Sequence, residues 1–223
     1  MSIFKRNLTS EILEDAASIY IESGDNNLSI LEIGCGDGNI SRNLSEKYPN
    51  NNFYASDISD EAIASAKKLD LKKMIDFRVS NGFDEWLDSK FDLVICDISA
   101  ISEVIADLSD WYDGVSCKTG EDGLGLVLDI IENVKKIMNK ESCFIMPVIS
   151  LCNVGLQKDS LSNTFSSVKY SDKKEWPLPK DLLVKFEENF IDLGSDFLDV
   201  KEKFGMIIAY TFSATCLYEG EEH

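Results

Sequence analysis

Leu31-Glu32-Ile33-Gly34-Cys35-Gly36-Asp37-Gly38-Asn39-Ile40 is the stretch on which the fold turns. A short apolar run, Leu28–Ile33, ends in three glycines at alternate positions, and a helix is expected at about 39–48, closed by Pro49. Glycine tolerates positive φ and lets backbone come close to a ligand. The N-terminus of the following helix offers free amide donors. The G-x-G-x-G spacing differs from the G-x-G-x-x-G of dinucleotide-binding folds, and a tight turn with no ligand is the alternative reading. The candidate ligand-binding positions here are Glu32, Gly34, Cys35, Gly36 and Gly38.

Working outward, strand and helix patterns alternate. Residues 8–23 carry apolar residues at helical spacing, with Thr9 or Ser10 as candidate caps. Strands are expected at 52–56, 75–79, 91–96 and 142–151, and helices at 60–69, 102–111, 126–138 and 180–193. A final antiparallel pair, 196–201 and 206–218, turns at Lys203-Phe204-Gly205. The polar segment 153–178, with Trp176-Pro177-Leu178-Pro179, reads as an irregular insertion. Alternation of this kind implies βαβ units, a mostly parallel sheet and helices on both faces. The expected fold is α/β, a Rossmann-like three-layer sandwich with a mostly parallel seven-stranded sheet and a C-terminal antiparallel hairpin. With no internal repeat or linker, residues 1–223 read as a single domain. Residues 1–27 are expected to form a helical lid and 153–180 a substrate-side insertion.

Three further signals follow strand ends. Asp57, in Tyr54-Ala55-Ser56-Asp57-Ile58-Ser59, lies 19 residues after Gly38. An acid at that place can accept hydrogen bonds from ribose hydroxyls. The alternative is that it caps the next helix, a role for which Ser59 is an equal candidate. Ser80-Asn81-Gly82-Phe83-Asp84 supplies a polar residue and a glycine that either border a base or make an ordinary turn. Phe91–Cys96 delivers Asp97 to the carboxyl edge of the sheet, where such folds bind ligands; capping is its other reading.

Composition narrows the chemistry. The 223 residues are 44% hydrophobic, enough for a core, and no apolar run approaches the roughly 20 residues a membrane helix needs. The formal net charge is −18, and no basic cluster exceeds Lys67-Lys68 with Lys72-Lys73, which argues against a nucleic-acid partner. The one histidine is His223, so a His-centred triad or His-rich metal site is not available, and no metal is expected. The six cysteines (35, 96, 117, 143, 152 and 216) show no C-x-x-C pair and suit buried thiols in the cytoplasm. Any general base must therefore be Asp, Glu, Tyr, Lys or Cys.

In order and spacing, these four signals resemble the class I S-adenosylmethionine (SAM)-dependent methyltransferases over about residues 8–152. The resemblance implies that Gly34, Gly36 and Gly38 contact the methionine part of SAM. It implies that Asp57 holds the ribose, that Ile58 packs on adenine, that Asn81-Gly82-Phe83 lie near the adenine amine, and that Asp97 faces the methyl group. Within that superfamily the chain is similar to the release-factor glutamine methyltransferases, through Ala55-Ser56-Asp57-Ile58-Ser59 and Gly120-Glu121-Asp122-Gly123-Leu124. It departs from them at the Asn-Pro-Pro-Tyr motif, where it has Asp97-Ile98-Ser99-Ala100. The expected activity is SAM-dependent methyl transfer to a small molecule or peptide, with Asp97 as candidate catalytic base. The alternatives are another SAM reaction (alkyl transfer or cyclisation) and a silent partner subunit. Tyr20, Trp111, Tyr112 and Trp176 are candidate pocket aromatics. The resemblance leaves the oligomeric state open.

Overall fold

The structure, a computed structural model, describes residues 7–24, 27–98, 100–111, 119–195 and 197–220. Ser99, Tyr112, Cys117, Asp196, His223 and the first six residues of the expected lid lie outside these. The chain runs α1 (Leu8–Ser23), β1 (Ser29–Ile33), α2 (Asn39–Lys47), β2 (Asn52–Asp57), α3 (Asp60–Leu69), β3 (Ile75–Val79) and β4 (Phe91–Cys96). It continues through α4 (Glu103–Leu108), α5 (Gly125–Asn133), β5 (Met138–Ile149), α6 (Val154–Thr164), β6 (Ser167–Tyr170), β7 (Lys174–Pro177), α7 (Lys180–Glu188), β8 (Lys201–Lys203) and β9 (Met206–Tyr218). All nine described strands join one sheet, ordered β3-β2-β1-β4-β5-β9-β6, with β7 and β8 also paired to β9. The first five strands are parallel, and β9 runs antiparallel to each of its partners. The α/β three-layer reading therefore holds, with two more strands than the expected seven.

The strands alternate their side chains between two buried faces. Leu93, Ile95, Cys143 and Ile145 meet Leu13, Ala17, Ile40 and Leu44 from α1 and α2. Val94, Cys96, Phe144, Met146 and Val148 meet Val127, Ile130, Ile131 and Leu161 from α5 and α6. Each such fully buried aliphatic side chain contributes about 1.5–3 kcal/mol relative to exposure. A third cluster, built from α4, α7, β7 and the start of β9, gathers Ile101, Ile105, Leu178, Leu182, Phe186 and Ala209. No helix among the described residues is long and apolar enough to cross a membrane.

Three expectations change. The 153–178 segment is regular: it forms α6, β6 and β7. It reads as irregular because both strands are short and mostly exposed at the far side of β9, so neither shows an apolar run. The helix expected at 126–138 stops at Asn133, passes through a 3-10 turn (Val134–Ile137), and β5 starts at Met138 rather than 142. The polar Asn139-Lys140-Glu141 hides this start. It forms a bulge between the pairings Phe91↔Met138 and Leu93↔Cys143, with Glu141 at φ +62°. Finally, α1 is a core helix along most of its length. Ile12, Leu13, Ala16, Ala17 and Ile21 are buried in it, and only its first turn reaches the site.

Candidate active site

Parallel register aligns the strand ends. Ile33 sits opposite Ser56 on one side and Cys96 on the other, and Asp57 sits opposite Val79. The residues that follow, Gly34, Asp57, Ser80 and Asp97, therefore share one carboxyl edge. Backbone bonds stitch them together: Gly34 and Cys35 amides donate to the Ser56 carbonyl at 2.8 and 2.9 Å, Ser80 N–H to Asp57 O at 2.9 Å, and Asp97 N–H to Ile33 O at 2.9 Å.

The loop glycines are all left-handed: Gly34 at φ +76°, Gly36 at +52° and Gly38 at +75°. A Cβ on Gly34 would stand 2.8 Å from the Asp97 carbonyl, and one on Gly38 2.7 Å from the Phe77 ring. Close packing as well as φ thus demands glycine at these two places. Asp57 grips the loop across the edge. Its Oδ2 accepts from Gly36 N–H at 2.9 Å, and its Oδ1 from Ser59 N–H at 2.9 Å. The cap of α3 is Ser59, whose hydroxyl oxygen accepts from Ala62 N–H at 3.2 Å. Asp57 is therefore not itself the cap. Each of its oxygens keeps a lone pair beyond the bond shown. Beside it, Ile58 is 69% exposed, a large apolar side chain open to solvent. Asn81 is exposed, and Gly82 (φ +58°) has nothing within 4 Å of where a Cβ would stand.

Other expected site residues point inward. Glu32 is buried and accepts from the Ser41 N–H at 2.9 Å and from the Ser41 hydroxyl, so it braces the start of α2 instead of facing the edge. Burial pushes its carboxyl up to about 8, against the Ser41 bond, and the Asp97 and Asp37 charges add to the rise. Cys35 packs with Ala55, Ile63, Ala66 and Phe77. Phe83 packs in the main core with Trp86. From these two positions only backbone faces the edge.

Asp97 is partly buried, and burial raises its carboxyl to about 6. One hydroxyl opposes that rise: Ser10 Oγ donates to Asp97 Oδ2 at 2.8 Å. Ser10 comes from the first turn of α1, whose cap is Asn7 rather than Thr9 or Ser10. Sequence reasoning took Ser10 for a cap. Its position on the apolar face of α1, with Ile12, Leu13, Ala16 and Ala17, was the signal available. Ser41, the partner of Glu32, was missed as well, and no pattern marks it.

The Gly120–Leu124 segment is a structural clamp. Gly120 O accepts from Glu103 N–H, and Asp122 O from Asn153 N–H, both at 2.9 Å. A Cβ on Gly123 would meet the Ile101–Ser102 backbone at 2.6 Å. The segment thus ties the residues after β4 to those after β5. Of the candidate aromatics, Trp111 and Trp176 meet edge to face at 5.8 Å in the third cluster. Tyr20 lies at the opposite edge, its hydroxyl donating to Asp92 O at 3.4 Å near the start of β4, so it does not line this site.

Known proteins are similar to this chain in sequence and in fold. A methyltransferase-domain family model matches residues 24–182, more than half of the chain. A bifunctional methyltransferase of Rickettsia bellii is 32% identical over 129 residues, 54% of this chain and 23% of that one. A ribosomal protein uL3 glutamine methyltransferase of Francisella tularensis is 27% identical over 154 residues, 66% of this chain and 49% of that one. The matches thus span half or less of these relatives' length. Human methyltransferase-like protein 13, solved in complex with S-adenosylhomocysteine (SAH), superimposes with a TM-score of 0.50 at 15% identity, covering 96% of this chain and 78% of that one. The chain belongs to the methyltransferase-domain family.

Proposed function

We propose that the carboxyl edge holds SAM and that Asp97 serves as general base for methyl transfer to a small molecule or peptide. In this reading Gly34, Gly36 and Gly38 cradle the methionine part, Asp57 the ribose, and Ile58 with Asn81 and Gly82 the adenine. Two observations make the edge fit that cofactor. Ile58 leaves apolar surface open beside Asp57, where a flat ring would cover it, and Gly82 borders open space. Bound SAM supplies an electrophilic methyl carbon on a positively charged sulfur. The chain's own contribution is alignment, which can lower a barrier by several kcal/mol, about 7 or more in favourable cases, and a place for the acceptor's proton.

Asp97 carries the proposal. With its carboxyl at about 6 it is mostly ionised at neutral pH, while Glu32, at about 8, is mostly protonated. Environments that push neighbouring acids apart assign them different roles, here base and brace. Asp97 would accept the proton that the acceptor loses on taking the methyl group, and SAH would be the other product. The net charge of −18 supports a small or peptide acceptor over a nucleic acid. Five buried free thiols, Cys35, Cys96, Cys143, Cys152 and Cys216, support a reducing compartment such as the cytoplasm.

Calorimetry with SAM, followed by mass spectrometry of SAM incubated with a panel of amines and peptides, tests this. The parent protein is expected to bind SAM and release SAH. Asp57→Ala is expected to bind at least about tenfold more weakly, 1.4 kcal/mol, and Asp97→Asn to bind SAM but release little SAH. Methylthioadenosine as product would redirect the chemistry, and no uptake of SAM by folded protein would overturn the site.

A further inference from the structure

We infer that Ser10, on the N-terminal helix, is a positioning residue of the site, one that holds the Asp97 carboxylate in place and in its charged form. The inference rests on the proposed role of Asp97 and concerns how that carboxylate is prepared. The two residues are 87 positions apart in sequence, yet the Ser10 hydroxyl donates to Asp97 Oδ2 at 2.8 Å. Ser10 is 5% exposed and is the polar member of an otherwise apolar buried face, with Ile12, Leu13, Ala16, Ala17 and Ile21. Packing alone would be served by alanine there. A buried hydroxyl needs a partner, and this one is paired with a carboxylate, the stronger class of hydrogen bond.

The donor is itself fixed. Asn7 Oδ1 accepts from Ser10 N–H at 3.0 Å, which sets the first turn of α1, and lies 3.4 Å from Ser10 Oγ. Farther along, Glu14 accepts from Asn43 of α2 at 3.0 Å, and Tyr20 donates to Asp92 O at 3.4 Å. Helix α1 is thus pinned along its length and brings the hydroxyl to the carboxylate at a set position. A serine has one proton to give, and its 2.8 Å contact with the carboxylate is shorter than the 3.4 Å one with the neutral amide oxygen, so the proton lies toward Asp97. Among the described residues, Glu32 on β1 and Cys96 on β4 are coupled to Asp97, and Asp37 in the glycine loop is coupled to Glu32. Glu32 and Asp37 are acids, so Ser10 is the neighbour shown to favour charge on Asp97.

The test is a carbon-13 NMR titration of the Asp97 carboxyl in protein saturated with SAH, assigned with Asp97→Asn. Removing a donor to the charged form raises a carboxyl pKa. Ser10→Ala is expected to shift the midpoint upward by about one pH unit, tenfold in proton affinity, and Ser10→Thr to return it near the parent value. Ser10→Cys, with similar volume and a weaker donor, reads the same shift if Ser10→Ala does not fold. A midpoint unmoved in the variant that folds would overturn the inference, since a merely packed serine would change stability and leave the titration alone. The proposed base fails by a different sign, full SAH release by Asp97→Asn, whatever the titration shows.

Discussion

Glu32 illustrates how a single residue links folding to pH. Its buried carboxyl is held at about 8 in the folded chain against an ordinary value of 4.5. Between those values the folded state keeps a proton that the unfolded state has lost, so stability falls as pH rises from about 4.5 to about 8, then levels off. The slope reaches about 1.4 kcal/mol per pH unit when the two states differ by one full proton. Glu32→Gln removes the titration but keeps an acceptor for Ser41. Denaturant unfolding between pH 5 and 9 is expected to show a clearly shallower decline for Glu32→Gln than for the parent. Equal slopes would mean that Glu32 ionises freely in the fold.

At the scale of elements, the loop between β1 and α2 depends on two different demands for glycine. Gly38 combines φ +75° with a Phe77 ring 2.7 Å from the place of a Cβ, whereas Gly82 combines φ +58° with open space. Gly38→Ala should therefore cost about 2–4 kcal/mol, conformational cost plus overpacking, and Gly82→Ala only about 1–2. Thermal unfolding of the two variants compares them directly, and equal losses would remove the packing argument. These elements were legible in the sequence because apolar runs and glycine spacing are local: β1, α2, β2, α3, β3 and β4 lie within a residue or so of expectation. The acids at strand ends were legible for the same reason. What escaped was set by tertiary neighbours. The Asn139–Glu141 bulge, the edge strands β6 and β7, and the inward turn of Glu32 and Cys35 depend on partners far along the chain. Ser10 is the sharpest case, since nothing near it in sequence hints at Asp97.

Over the whole molecule, a net charge of −18 sets carboxylates against one another, and the exposed ion pairs, such as Lys47 with Glu22 at 3.1 Å, offset little of it. Salt that shortens the screening length should therefore stabilise the fold. Raising sodium chloride from about 20 to about 300 mM is expected to lift Tm by at least about 2 °C, on the order of 1 kcal/mol for a chain of this size. A fall would show that attractive pairs outweigh the repulsion. The sheet also gives the molecule two unlike rims. Asn7 begins α1 beside Asp97 at one rim, while Tyr218 closes β9 opposite Ser142, toward the other. On the proposed reading the acceptor would approach at the Asp97 rim, so holding the protein to a support by the Tyr218 rim should leave that side facing the solution.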